Sequence, residues 1–205
     1  MKRITAMLLA VLMLFTLAAC QSDKTENRTF ATGTVTGNKY VNTYAGISCE
    51  LDMAWTFLTD EEIRKNNEEA LGIVGDEYAD VLANADYIED MMATYSNQTD
   101  TININLEKMT GLNLLLSEEE YAKLSMDTLK GSLESMGMTD VELTAGKETF
   151  AGAEHAYIAV TAQYEGIPVY ERIVIVKCAV HMMVIAVCTW QADGCKAILD
   201  QFKAA

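Results

Sequence analysis

One proline in 205 residues excludes a collagen-like or proline-rich extended chain, and 50% hydrophobic with 22% charged residues excludes a disordered one. Basic residues are scarce, 15 Lys and Arg against 30 Asp and Glu. Without Lys2 and Arg3, which fall in a segment read below as removed, the count is 13 against 30, a net charge of −17. That balance argues against a nucleic-acid partner, because neutralising phosphates needs clustered Lys and Arg. It also argues against electrostatic attraction to anionic lipid. The chain has no Gly-x-Ser-x-Gly elbow, no Walker loop and no His-Glu-x-x-His pair. Its composition is that of one ordinary globular domain with no evident catalytic motif and no cofactor.

What is present begins at the N-terminus. Met1-Lys2-Arg3 supplies a positive end, and Ala6 to Leu17 is apolar apart from Thr16. Twelve residues fall short of the ~20 that span a bilayer and suit the core of a signal peptide. The run ends in Leu17-Ala18-Ala19-Cys20, which resembles the bacterial lipoprotein signal: small residues fit the peptidase and the Cys thiol accepts a diacylglycerol. By that resemblance residues 1–19 are a lipoprotein signal peptide and Cys20 becomes the lipidated first residue. Burial of acyl chains is favourable by ~0.8 kcal/mol per CH₂, and two or three chains anchor durably where one does not. Gln21 to Asn38 is polar, with Phe30 its only aromatic. It reads as a flexible tether, with Cys20 part of the same segment 20–38 and an r.m.s. reach of roughly 25 Å.

Residues 39–205 read as a single α+β domain. Lys39–Tyr44 and Ile47–Leu51 look like strands around an Ala45-Gly46 turn. Thr59-Asp60-Glu61-Glu62 is a capping box that predicts a helix from Asp60 to about Leu71, and a second helix is expected over Asp76–Ala85. Tyr87–Thr94 and Thr101–Lys108 read as extended, the latter with Ile102, Ile104 and Leu106 on one face and Asn103 and Asn105 on the other. Ser117-Glu118-Glu119-Glu120 repeats the capping box and opens the longest helix, to about Met136. Tyr121, Leu124, Leu129 and Leu133 form its apolar stripe and Gly137 its stop. Val141–Leu143, Lys147–Phe150, His155–Tyr164, Ile167–Lys177 and Val180–Trp190 read as strands, followed by a short helix from Gly194.

Turns at Glu165-Gly166 and Cys178-Ala179 fix a register. They place Ala156 opposite Ile175, and Lys177 opposite Val180. One face then carries Ala156, Ile158, Val160, Ala162, Ile173, Ile175, Met182, Val184, Ala186 and Cys188, a core to be packed by helices. The other carries His155, Tyr157, Thr161, Gln163, Tyr170, Arg172, Val174, Met183 and Ile185 and is mixed. An antiparallel β-sheet with helices packed mainly on one face is an α+β sandwich.

Tyr40-Val41-Asn42-Thr43-Tyr44-Ala45-Gly46-Ile47, Trp55-Thr56-Phe57 ahead of Thr59-Asp60-Glu61-Glu62-Ile63, and the final hairpin with Thr189-Trp190 carry a further likeness. The chain resembles a lipoprotein family of Gram-positive anaerobic bacteria, which is similar in fold to the photosystem II PsbP subunit and the Ran-binding Mog protein. It departs from that pattern at Ala45, where an aromatic is usual, and at Lys177-Cys178-Ala179-Val180-His181, where a Lys-Gly-Asp-Tyr type of turn is usual. The resemblance implies a PsbP/Mog-like sandwich serving binding or assembly, and no catalytic residues.

His155 and His181 are the only histidines, and a zinc site needs both. The register sets them either side of Val176, with Cα atoms about 10 Å apart, which favours sheet-end polar residues over a metal site. After Cys20, the cysteines Cys49, Cys178, Cys188 and Cys195 allow three full pairings. Cys178 with Cys188 is excluded, because Cys188 is expected opposite Val169, about 30 Å from Cys178. Cys188 reads as core filler. Cys195 follows Asp193, an expected N-cap, and a helix N-terminus favours thiolate, yet without Cys-x-x-Cys a structural cysteine is the better reading. The acidic clusters at Asp60-Glu61-Glu62, Glu68-Glu69, Asp86 to Asp90 and Glu118–Glu120 lack a calcium-loop pattern. The pairs Met91-Met92 and Met182-Met183 are too few for a copper array.

The best ligand contacts are Arg172 with Tyr157 and Tyr170, and Glu171, whose burial would raise its pKa. Guanidinium and aromatic groups on one face suit a carboxylate or sugar. Two functional expectations follow. The first is a non-enzymatic lipoprotein, held on the outer side of a bacterial membrane by its N-terminal lipid, that binds another envelope protein. The second is a small-solute or ion receptor using the Arg172 face.

Overall fold

The computed structural model describes residues 29–71, 87–192 and 194–205. The helix expected over Asp76–Ala85 lies outside them. Both capping boxes form. At Thr59 the backbone N–H donates to Glu62 Oε2 at 2.8 Å and the Glu62 N–H donates back to Thr59 Oγ1 at 3.4 Å. At Ser117 the matching distances are 2.8 and 3.2 Å. These hydrogen bonds favour the charged carboxylates, so Glu62 and Glu120 lie below the usual carboxylate range. They start α1 (Asp60–Leu71) and α2 (Glu118–Ser135) where the sequence predicts. The buried face of α2 is Tyr121, Ala122, Ser125, Leu129, Ser132 and Leu133. Leu124 falls on the outer flank and is 49% exposed, because the buried stripe runs in steps of four from Tyr121.

The strands are β1 (Thr34–Thr36), β2 (Lys39–Asn42), β3 (Ile47–Glu50), β4 (Trp55–Phe57), β5 (Tyr87–Tyr95), β6 (Thr101–Lys108), β7 (Met138–Phe150), β8 (Ala153–Tyr164), β9 (Ile167–Cys178), β10 (His181–Thr189) and β11 (Phe202–Ala204). A 3₁₀ turn, Gly111–Leu115, leads into α2, and a short α3 (Gly194–Leu199) follows β10. Seven strands form one antiparallel sheet in the order β4-β5-β6-β10-β9-β8-β7, and four form a second in the order β1-β2-β3-β11. The fold class is α+β, as expected, with two differences of detail. Helix α2 packs on β7, β8 and β9 from one side. The opposite side, expected to be mixed, carries a second core: Val174, Val176, Met183, Ile185 and Val187 pack with Tyr40, Ile47 and Phe202 of the small sheet.

The first hairpin has the expected register, Ala156 opposite Ile175. Glu165 and Gly166 both take positive φ, 50° and 79°, as a two-residue turn matched to strand twist requires. The second hairpin closes one residue later than expected, which shifts the strand register by two, with Cys178 opposite His181 and Met182 opposite Lys177. Ala179 takes the left-handed conformation (φ 51°), so the turn is Ala179-Val180. The Tyr44 hydroxyl pins both ends, donating to the Cys178 carbonyl at 2.7 Å and meeting His181 Nδ1 at 2.7 Å. A shift of two preserves the side-chain alternation, so the expected core face survives: Ala156 through Ala186 pack under α2, and Cys188 is buried beyond them.

Ordered chain also begins earlier than Lys39. β1 lies inside the segment expected to be tether, and the Gly33 N–H donates to Asp90 Oδ1 at 2.7 Å. Asn42 Nδ2 donates to Asp90 Oδ2 at 2.8 Å, and the Tyr40 hydroxyl donates to the same carboxylate. Phe30 stacks on His181 with ring centroids 4.6 Å apart. β7 is one strand rather than two pieces, with a register shift between Thr139 and Glu142 where Asp140 takes φ 52°.

Candidate functional site

Arg172 and Tyr157 are brought together by the register of β8 and β9. Arg172 pairs with Ala159, and Tyr157 pairs with Val174 one step along the same face. The guanidinium carbon stands 3.9 Å from the Tyr157 ring centroid, a cation–π contact. Its Nη1 also donates to Glu148 Oε2 at 3.4 Å. The ring has room because Gly146, opposite Tyr157 on β7, has no side chain: a Cβ there would stand 2.8 Å from the tyrosine hydroxyl oxygen. The other oxygen of Glu148, Oε1, is buried and accepts no hydrogen bond among the described residues. Arg172 and Glu148 are each about a quarter exposed, so the pair is screened by solvent and contributes modestly to stability, ~0–1 kcal/mol.

The other two expected contacts lie elsewhere. Tyr170 shares the Arg172 face but packs against the second core, and its carbonyl accepts from Cys195 Sγ at 3.4 Å. Glu171 projects to the opposite face, because adjacent strand residues alternate. It stands opposite Val160 and Cys188. Its carboxyl makes no hydrogen bond among the described residues, and burial pushes its pKa up to about 8. The structure thus assembles Arg172, Tyr157 and Glu148, and separates Glu171 from them. Glu148 was not a sequence candidate. The available signal was Gly146, which opens β7 to the ring across from it.

The histidines have separate partners. His155 Nδ1 lies 3.0 Å from Glu118 Oε1, and that carboxylate also accepts from the Lys177 and Ala156 backbone at 2.8 and 3.2 Å. Burial pushes Glu118 up, but the bonds from His155, Lys177 and Ala156 outweigh it and hold the group below the usual range. This clasp fixes the start of α2 to β8 and β9. His181 lies between Tyr44 and Phe30, opposite Cys178 rather than beside Val176. Among the described residues no three His, Cys, Asp or Glu side chains converge to hold a metal ion.

Cys49, Cys178, Cys188 and Cys195 are buried thiols rather than disulfides. Cys188 stands opposite Glu171, not Val169. Burial pushes Cys49 and Cys195 up to about 12 and raises Cys188 as well, so these three are neutral at physiological pH. Cys195 Sγ donates weakly to the carbonyls of Tyr170 and Val187, each at 3.4 Å, which is a packing role.

No protein-family model matches the chain. No curated protein matches it either. Among solved structures it is similar to the cyanobacterial PsbP protein (CyanoP) of Synechocystis, with a TM-score of 0.51 and 11% identity over 89% of this chain and 98% of that one. LpqN, involved in cell envelope biogenesis of Mycobacterium tuberculosis, aligns with a TM-score of 0.42 and 9% identity over 77% of this chain and 82% of its own. At these identities the likeness concerns architecture alone. Together with the two-sheet topology and the helix packed on β7–β9, it identifies the domain as an α+β sandwich of the PsbP-like fold.

Proposed function

We propose that the protein is a lipoprotein anchored to the outer side of a bacterial membrane, whose folded domain is a non-catalytic binding or assembly module of the cell envelope. The observation that carries this is Leu17-Ala18-Ala19-Cys20 at the end of a twelve-residue apolar run behind Lys2 and Arg3. Two acyl chains on Cys20 hold the chain at the membrane, and Phe30, whose ring packs against Tyr44 and His181, lies ten positions after that cysteine. Ten residues span at most about 35 Å, so the domain works close to the bilayer. The net charge of −17 on residues 20–205 (13 Lys and Arg against 30 Asp and Glu) opposes adhesion to anionic head groups and favours presentation outward.

Binding is favoured over catalysis by what the reactive side chains do. His155 holds the start of α2, His181 holds the N-terminal segment, and three buried thiols are kept neutral. The alternative use of Arg172 as an anion receptor is disfavoured, because its guanidinium already lies on Tyr157 and pairs with Glu148. An incoming carboxylate must displace that pair.

The test is expression in a bacterium with metabolic labelling by a clickable palmitate analogue, followed by cell fractionation and external protease. The wild type is expected to carry label, to sediment with membranes and to be cut on intact cells, and Cys20→Ser to lose label and membrane association. An unlabelled wild-type protein in the soluble fraction would contradict the proposal.

A further inference from the structure

The polar face of β6 carries a second site. Asn103, Asn105 and Glu107 alternate along one strand, so their side chains lie on one face at a repeat of about 6.5–7 Å. Such a row normally meets water, yet these residues are 5%, 5% and 8% exposed. Oδ1 of Asn103 and Oδ1 of Asn105 are buried and accept no hydrogen bond among the described residues. Leaving such an acceptor unmet in the interior is unfavourable, and two in register on one strand call for a common explanation.

The surroundings define what is missing. On β5, Glu89 stands opposite Asn105 and accepts from Asn67 Nδ2 of α1. Glu107 accepts from the Tyr121 hydroxyl of α2. Across the strip, β10 presents Met182, Val184 and Ala186, and Met92 of β5 stands opposite Asn103. The result is a row of oxygen acceptors, two amide and two carboxylate, bounded by an apolar wall and flanked by α1 and α2. Every unmet group is an acceptor, so the occupant must donate. The acceptors also run along the strand instead of converging, which suits an elongated ligand better than a single metal ion.

We propose that this strip binds a small organic cation with two N–H donor groups, of the diamine or guanidino-amine class, one group at each asparagine and its charge balanced by Glu89 and Glu107. The site is independent of the Arg172 face and of the lipid anchor. Putrescine, with two ammonium groups separated by four carbons, is the probe that fits the strand repeat.

The experiment is calorimetric titration of the full chain in detergent with putrescine and, separately, with CaCl₂, alongside Asn103→Leu and Asn105→Leu. A second readout follows the side-chain amide resonances of the two asparagines in the wild-type protein, so the test stands even if a variant fails to fold. Saturable putrescine binding that shifts both resonances and weakens at least tenfold in each folded variant supports the site. The proposal is overturned by no binding at millimolar putrescine, by equal affinity in folded variants, by shifts produced only by Ca²⁺, or by ordered waters alone on both Oδ1 atoms.

Discussion

β6 has two faces, and both are buried. Ile102, Ile104 and Leu106 sit at 0% exposure between the two sheets, sealed by Tyr40, Leu51 and Met91. One residue out of phase, Asn103, Asn105 and Glu107 are nearly as inaccessible, yet they keep polar groups that the apolar face has none of. The difference separates two uses of burial. Apolar burial fixes the fold and is indifferent to which partner supplies the contact. Polar burial is favourable only when each group is met, so it selects a partner.

Substitutions on the two faces sharpen the contrast. Ile104→Ala removes a fully buried side chain from the inter-sheet core and is expected to cost about 2–5 kcal/mol, read as a lower urea midpoint at unchanged slope. A cost below about 1 kcal/mol would mean that the two sheets are loosely packed. On the helix side, Glu171 gives a pH signature. Its folded-state pKa is raised to about 8 by burial, against an ordinary value of 4.5. Between those values the unfolded carboxyl ionises while the folded one stays protonated. Its contribution to stability is therefore complete below about pH 4.5 and is lost as pH rises through 8, on the order of a few kcal/mol. Urea melts of wild type and Glu171→Gln from pH 5 to 8.5 should diverge with pH, the variant losing less; parallel curves would place Glu171 in contact with water.

Smaller effects probe the polar strip itself. Tyr121→Phe removes the hydroxyl that donates to Glu107 and leaves that carboxylate without this donor, at an expected cost of about 1–3 kcal/mol by chemical denaturation. Asn105→Leu replaces an unmet amide by an apolar group of similar volume. Without ligand its effect on the urea midpoint should lie within about 1 kcal/mol of zero, of either sign. A loss comparable to that of Ile104→Ala would show the amide to be satisfied inside the fold, and would erase the distinction between the faces.

Local chemistry made most of the fold legible. The capping boxes at Thr59 and Ser117 satisfy backbone N–H groups with neighbours three residues away, so two side chains in each box suffice to place the starts of α1 and α2. Alternation in β8–β10 identified the face beneath α2, because a two-residue slip in the β9–β10 register leaves alternation intact. What escaped depends on distant segments. β1, β4 and β11 are three residues each and become strands only through partners elsewhere in the chain, Asp90 holding Gly33 and β3 receiving Phe202. The small sheet covers Val174, Met183 and Ile185, and nothing in a mixed strand pattern states that a second sheet will arrive.

The same division holds for the sites. Tyr157 and Arg172 met because they are neighbours across one hairpin. Glu148 joined them from the next strand, through the space left by Gly146. The alternation of Asn103 and Asn105 was plain in the sequence, but their burial depends on strands β5 and β10 and on helices that the strand itself does not encode.

Lipid anchoring of a binding domain is tested most directly by intact mass spectrometry of the protein purified from bacterial membranes. A mature chain that begins at Cys20, lacks residues 1–19 and carries diacylglycerol on the thiol is the expected result. A chain retaining Met1, or one cleaved there without lipid, would contradict it.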